Sequence, residues 1–142
     1  MRILAKLTAG VVVLLALAGC SSDPKSGISA LEAPAGPADT FAGGADTLGI
    51  APDSTRLLVE ESDYAFYIAA PDKPEKGSVC LVIQTPEPET AASGCGNIPN
   101  LHPLELGTAG VSAKLIADNY DASKELSEGW RQLHKNLLVR GL

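Results

Sequence analysis

Hydrophobic and polar residues follow three different patterns along this 142-residue chain. Residues 7–18 read LTAGVVVLLALA and carry no charge. Residues 21–52 are rich in Ala, Gly, Pro, Ser and Asp without a sustained helix or strand period, a composition that cannot bury enough apolar surface to offset its ordering entropy. Residues 53–142 carry short apolar runs between turn-forming residues, as a small folded domain does. The pattern therefore predicts a disordered, flexible tether over 20–52 and one globular domain over 53–142.

Two strands are predicted in the first half of the domain. The first is Tyr64–Ala69, rich in aromatic and β-branched residues, and one of its faces would carry Tyr64, Phe66 and Ile68. The second is Ser78–Gln84 (SVCLVIQ). Residues 71–77 between them are dense in turn formers, so we expect an antiparallel hairpin. Before this hairpin, Pro52–Glu60 fits either a short helix or a further strand.

The second half of the domain predicts another hairpin and a helix. Leu104–Leu106 and Val111–Ala117 are short strands on either side of the turn Gly107–Gly110. Ser123–Trp130 is predicted to be helical, because core-forming residues recur at helical spacing at Leu126, Trp130, Leu133 and Leu137. Asn136–Arg140 is a terminal strand or an extended tail. We therefore expect an α+β or mainly β fold: a small antiparallel sheet of four or five strands with one or two short helices.

The apolar run at the N-terminus has the build of an export signal. Arg2 and Lys6 precede it, and it is too short to span a bilayer, which takes about 20 helical residues. It ends in Leu17-Ala18-Gly19-Cys20. These four residues resemble the lipobox of bacterial lipoproteins, in which small residues precede the cleavage site and an invariant Cys follows it. Two alternatives to a lipoprotein signal are open. The chain could be an ordinary secreted protein with a chance Cys after its signal, or a cytosolic protein in which this run is a core helix.

The resemblance to lipoproteins implies a role for Cys20. It implies cleavage after Gly19, so that residues 1–19 are a lipoprotein signal peptide, and a thioether-linked diacylglyceryl group on Cys20. In some bacteria the new amino group also receives an acyl chain such as palmitate. Two chains, each stabilised by about 0.8 kcal/mol per buried methylene, anchor a protein firmly. The expected location is the cell membrane, with the domain on its extracytoplasmic face.

Three cysteines are an odd number, which the lipobox would explain. With Cys20 carrying lipid, Cys80 and Cys95 remain as a pair in an oxidising compartment, where a disulfide is expected. The alternative for this pair is a metal site. Their spacing is wider than that of zinc-type pairs, and no His lies beside either residue.

The charge of the chain limits its partners. Its formal charge is −6, and loss of residues 1–19 would leave nine basic against 17 acidic residues, a charge of −8. Nucleic acids and anionic lipids are bound through clusters of Lys and Arg, and no basic stripe follows the signal. We therefore expect no nucleic-acid partner, and membrane contact through the lipid on Cys20.

Candidate sites for chemistry are few and weak. His102 and His134 have no carboxylate or Cys at ligand spacing, so solvated surface residues are the simpler interpretation. Ser93–Gly96 (SGCG) is not a G-x-S-x-G nucleophile elbow and fits a tight turn beside a disulfide. The acidic stretches Glu60–Asp63 and Asp118–Asp121 offer oxygen ligands for calcium, but without the order of a known calcium loop. We expect no catalytic residue, no metal and no cofactor.

The domain as a whole resembles small lipoproteins of Gram-positive, high-GC bacteria. The resemblance rests on the tether, the YAFYI and VCLVI strands, the SGCG turn and the GWRQL segment near the C-terminus. It implies a location but no activity. Two functions stay open: a non-enzymatic envelope protein that binds another protein or a small ligand, and a small envelope hydrolase or transferase with an unrecognised site.

Overall fold

The computed structural model describes residues 26–87, 90–98, 102–108 and 110–142. Eight strands form two antiparallel sheets of four, with strand orders β1-β2-β3-β4 and β5-β6-β8-β7. The strands are β1 Arg56–Glu61, β2 Tyr64–Ala69, β3 Ser78–Gln84, β4 Ala91–Asn97, β5 Leu104–Thr108, β6 Val111–Leu115, β7 Arg131–His134 and β8 Leu137–Arg140. The helices are short: α1 Ser29–Glu32, α2 Ala45–Leu48, α3 Ser123–Ser127 and a 3-10 turn at Pro37–Asp39. The expected class, α+β or mainly β, is confirmed, with a second sheet in addition to the one expected.

Both expected hairpins are present. Strand β2 pairs with β3 from Ala65↔Gln84 to Ala69↔Cys80. Strand β5 pairs with β6 from Leu104↔Leu115 to Thr108↔Val111. The C-terminal residues form β8, a central strand of the second sheet between β6 and β7. Runs of β-forming residues on either side of turn-forming segments were sufficient to predict these pairings.

The two sheets approach each other along β4 and β5, where two positions of β4 are glycine. A Cβ on Gly96 would lie 3.2 Å from Leu104 Cδ1, and one on Gly94 would lie 3.4 Å from Leu106 Cδ1. The small residues therefore let β5 pack closely on β4. Residues 91–97, of which SGCG was expected to be a turn, form a strand paired with β3 along its whole length. The glycines are needed for sheet packing rather than for a tight turn.

Between the sheets lies the main core. It takes Phe66, Ile68, Leu81 and Ile83 from the first sheet, and residues including Leu115, Leu137 and Val139 from the second. All seven side chains are at most 1% exposed. Ile28, which precedes every strand, is also a fully buried member of this core.

The two sheets pack face to face as a sandwich, and residues 26–55, here named the strap, pack on it. A disordered tether was expected over 20–52, and for residues 26–52 this expectation is wrong. Ile28 inserts into the main core, and Ile50 is buried on the outer face of the first sheet. That outer face is apolar, with Tyr67 and Val82 among its buried residues, so it requires a cover. Residues 20–25 of the expected tether, Cys20 and the expected signal peptide lie outside the described residues.

Strand register defines two ends of the sandwich. Asp118 lies three residues beyond Leu115, which pairs with Leu104, and Gly96 faces Leu104 across the sheets. The Ser26 end therefore comprises Ser26, residues 71–77, residues 117–118, His102 and the β7–β8 turn at Lys135 and Asn136. The Asp63 end comprises the β1–β2 turn at Ser62 and Asp63, residues 85–87, and the paired residues Thr108 and Val111.

Of the two alternatives for Pro52–Glu60, the strand is the one found, since Arg56 onwards forms β1. One further expectation needs correction. The helix expected over Ser123–Trp130 ends at Ser127. Gly129 has a φ of 90°, and the N–H of Trp130 donates to the Glu125 carbonyl, a backbone pattern that terminates helices. Leu133 and Leu137 consequently lie on β7 and β8, and their helical spacing to Trp130 is coincidental.

Candidate functional site

An open cleft of about 510 Å³ lies at the Asp63 end, between the strap and the β1–β2 hairpin. The strap forms one wall and the hairpin forms the other. Acidic residues, two tyrosines and Gln84 line much of its surface. The lining residues are Thr40, Ala42, Glu60, Glu61, Ser62, Asp63, Tyr64, Ala65, Tyr67 and Gln84.

Two local backbone features place the carboxylates in this cleft. Ser62 and Asp63 both have positive φ, 51° and 65°, as the two central residues of a type I′ hairpin turn require. A β-bulge lies between Leu57 and Val59, so that Leu58 is inserted into the pairing with β2. Because a bulge shifts the alternation of side chains, Glu60 pairs with Ala65 of the outer face. The bulge thus directs a carboxylate towards the cleft instead of the core.

Tyr67 forms the apolar floor beside these carboxylates. Its side chain is buried, and its ring meets the ring of Phe41 edge to face at 5.5 Å between centroids. Burial raises the pKa of Tyr67, and the negative charges of Glu60 and Asp39 raise it further. The phenol therefore stays protonated and neutral at physiological pH.

Asp39 fixes the strap at the open edge of β1. Its Oδ1 accepts a hydrogen bond of 2.7 Å from the N–H of Leu57, and its carbonyl accepts one of 2.6 Å from the Thr55 hydroxyl. An edge strand exposes unpaired N–H groups, and this carboxylate satisfies one of them. The strap wall of the cleft is therefore held by specific bonds to the sheet.

The cleft has the chemistry of a binding surface for a cation. Its charged groups are carboxylates, and its aromatic floor can contact the apolar part of a Lys or Arg side chain. No group of three or more His, Cys, Asp or Glu residues within the described ranges has the geometry of a metal site. Organic cations, such as basic side chains of another protein, therefore suit the charge and the aromatic floor of this cleft.

The structure separates the two histidines that the sequence singled out. His102 is exposed at the Ser26 end. His134 is half-buried on β7, and its Nδ1 accepts a hydrogen bond from the N–H of Asn136. Burial lowers the pKa of His134, and the charge of Lys135 lowers it further. His134 thus acts as a neutral acceptor that closes the β7–β8 turn.

The expected disulfide is present. Cys80 and Cys95 face each other directly across β3 and β4, with an S–S distance of 2.02 Å. Ser93, considered as a nucleophile, instead donates a 2.6 Å hydrogen bond to the Leu48 carbonyl and so ties the strap to β4. Cys20, the expected lipid site, lies outside the described residues.

Trp130 belongs to a second charged cluster, on the outer face of the second sheet. Its indole ring is buried, with Lys114 Nζ 4.5 Å and Arg140 Cζ 4.6 Å from the ring centroid. Lys114 also lies 3.9 Å from the buried carboxylate of Glu125, which accepts a 2.8 Å hydrogen bond from the Tyr120 hydroxyl. This hydrogen bond is the main cause of the lowered pKa of Glu125. The cluster holds α3 on the sheet, as expected of Trp130 as a packing residue.

Sequence reasoning missed the cleft because its two walls are far apart in the chain. Glu60–Asp63 was noted as acidic, but Thr40 and Ala42 were assigned to a tether. One signal was available: Ala65, Tyr67 and Ala69 make the second face of β2 apolar as well, and a strand that is apolar on both faces must be covered on both.

Among the described residues, no helix is both long and apolar enough to cross a bilayer. No family model, curated protein or solved structure matches this chain. Any functional inference therefore rests on the sequence, the fold and the cleft.

Proposed function

We propose that this chain is a lipid-anchored protein of the bacterial cell envelope that binds a basic partner without catalysing a reaction. The signal-like N-terminus and the LAGC motif at 17–20 support the anchoring half of this proposal. The observation that carries it is the Cys80–Cys95 disulfide. Disulfides persist in exported, oxidising compartments, and this one leaves Cys20 as the single cysteine available for lipid.

The acidic cleft supports the binding half. A partner that presents Lys or Arg side chains would meet Glu60, Glu61 and Asp63 on one hairpin, with Tyr67 beneath them. Electrostatic attraction would accelerate association and make it depend on salt. The overall negative charge of the chain disfavours nucleic acid in the same role.

Intact-mass measurement of membrane fractions tests the anchoring. We expect the wild-type protein to begin at Cys20 and to carry the added mass of a diacylglyceryl group, with or without a further acyl chain. The Cys20→Ala variant should lose this mass and leave the membrane fraction. A wild-type protein that retains residues 1–19, or that carries no lipid, would contradict the proposal.

Binding of an oligolysine peptide tests the cleft. We expect the wild-type protein to bind oligolysine in low salt, and the Glu60→Gln, Asp63→Asn double variant to bind it at least several-fold more weakly. A matched control neutralises Asp72 and Glu75, which are equally exposed but lie at the Ser26 end. Equal losses in both double variants would attribute binding to net charge and would contradict a role for the cleft.

A further inference from the structure

The strap is docked on the sandwich from its first described residue. The Ser26 hydroxyl donates to the Ile28 carbonyl at 2.9 Å, and the Ile28 N–H donates back to that hydroxyl at 3.2 Å. The Asp118 N–H donates to the Gly27 carbonyl at 3.0 Å. Ile28 itself is fully buried. The chain therefore has a fixed point at residues 26–28, at one end of the sandwich.

A carboxylate at the end of β6 secures this fixed point. Asp118 accepts hydrogen bonds from the Ser29 N–H at 3.2 Å and from Asn136 Nδ2 at 2.8 Å. Lys135 donates a 2.7 Å hydrogen bond to the Ser29 hydroxyl and lies 3.7 Å from the Asp118 carboxylate. The segment after β6 and the β7–β8 turn thus hold the beginning of the strap through side chains.

Only a short piece of chain separates this fixed point from Cys20. A peptide spans at most about 3.6 Å per residue, so the six residues from Cys20 to Ser26 reach about 20 Å even when fully extended. We propose that the sandwich stands directly on the membrane, with its Ser26 end against the lipid headgroups and its acidic cleft turned away. This orientation rests on the lipid that we propose on Cys20.

The difference in charge between the two ends of the sandwich favours this orientation. At the Ser26 end, the basic residues Lys73, Lys76 and Lys135 face the acidic residues Asp72, Glu75, Asp118 and Glu32, so this end is close to balanced; Glu32 accepts a 3.3 Å hydrogen bond from the Ser26 N–H. The Asp63 end is acidic through Glu60, Glu61, Asp63 and Glu87. Arg131 lies 3.0 Å from the Glu61 carboxylate, and within the described part of the chain the other three form no ion pair. Anionic headgroups repel the acidic end and tolerate the balanced one.

This orientation has a consequence for the cleft. A strand of about seven residues is roughly 20 Å long, so the cleft opens at about that height above the headgroups. A partner would reach it from the envelope side without displacing lipid. The short connection also prevents the domain from ranging far from the membrane, so a partner must itself be close to the membrane.

Energy transfer to a labelled bilayer tests the orientation. After lipidation and disulfide formation the proteins have no free thiol, so a single introduced cysteine can carry a donor dye. We place it at Lys73→Cys or His102→Cys near the Ser26 end, and at Glu87→Cys or Thr108→Cys near the Asp63 end. Each lipidated full-length protein is inserted into phosphatidylglycerol–phosphatidylcholine vesicles that contain a headgroup-labelled acceptor lipid.

We expect transfer from Lys73 and His102 to exceed that from Glu87 and Thr108 by roughly two-fold, given the separation of about 20 Å. A Gly/Ser insertion of about 20 residues between Lys25 and Ser26 should abolish the difference, since its ends wander over about 25 Å. Equal transfer from both ends, in proteins whose lipid is verified by mass, would overturn the orientation alone. Absence of the lipid by mass would instead overturn the proposed anchoring, and the orientation with it.

Discussion

Replacing Ile28 by alanine is the sharpest test of the strap. Ile28 is 0% exposed and packs in the core between the sheets, although it precedes β1 by 28 residues. Truncating a buried isoleucine to alanine costs about 2–5 kcal/mol, so we expect a loss of about 3 kcal/mol in the free energy of unfolding. That is a large share of the roughly 5–15 kcal/mol available to a domain. A flexible tether would lose nothing.

Urea denaturation of the Cys20→Ala protein and of the same protein with Ile28→Ala measures this cost. With a slope of about 1.5–2 kcal/mol per molar urea, the midpoint should fall by about 1.5–2 M. Ile28→Val should cost only about 1 kcal/mol. Leu126→Ala is the control, because Leu126 is 45% exposed and its loss should change stability by less than about 0.5 kcal/mol. If Ile28→Ala were as mild as Leu126→Ala, the docked strap would be refuted.

Three further changes test other parts of the structure. The Cys80→Ala, Cys95→Ala double variant should lose about 3 kcal/mol of stability in the same urea assay, because the disulfide closes a loop with a sequence separation of 15; no loss would contradict a stabilising crosslink. Burial raises the pKa of Asp118, but hydrogen bonds from Asn136 and Ser29 lower this pKa below its ordinary value of 3.8. The ionised Asp118 therefore stabilises the fold fully above pH 3.8, and this stabilisation is lost as the pH falls through the folded-state pKa. Urea midpoints measured from about pH 5 to about pH 3 should therefore fall less steeply in Asp118→Asn than in the wild type, and parallel curves would count against this assignment. Tyr120→Phe removes a donor from the buried Glu125 carboxylate, so stability should fall by about 2 kcal/mol and the pKa of Glu125 should rise in a carboxyl NMR titration; an unchanged pKa would exclude this hydrogen bond as its cause.

The hairpins and the disulfide could be predicted because their determinants are local. Residues 78–84 form an unbroken β-branched and apolar run, and residues 71–77 form a turn that brings it back beside β2. Cys80 and Cys95 were the two cysteines left once Cys20 was assigned to lipid. Each of these inferences needed only neighbouring residues or a count.

The strap and the cleft could not be predicted because their determinants are distant in the sequence. Residues 26–55 have no periodicity, and what orders them is an apolar sheet face and one carboxylate, Asp118, supplied by later residues. Scattered hydrophobic residues such as Phe41 and Leu48 therefore resembled those of a linker. Their burial depends on Tyr67 and Val82 facing outwards, which follows only from the completed sheet.

Strand β4 was missed for a related reason. Residues 91–97 alternate no hydrophobic side chains, and their two glycines favoured a turn. Pairing with β3 and close approach of Leu104 and Leu106 determine their conformation instead. Tertiary contacts thus overrode the local preference of this segment.

The hydrogen bond between Ser29 and Asp118 joins residues that are 89 positions apart, so under the proposed export it could form only after most of the chain had crossed the membrane. The strap would emerge first on the far side of the membrane, whereas the second sheet and the turns beside it that hold the strap would emerge last. Until they do, Ile28 lacks the second-sheet half of the core in which it packs, and hydrophobic residues exposed in this way promote aggregation. Early attachment of the N-terminus to lipid would keep nascent chains apart during this interval, so the anchor would protect folding as well as fix location.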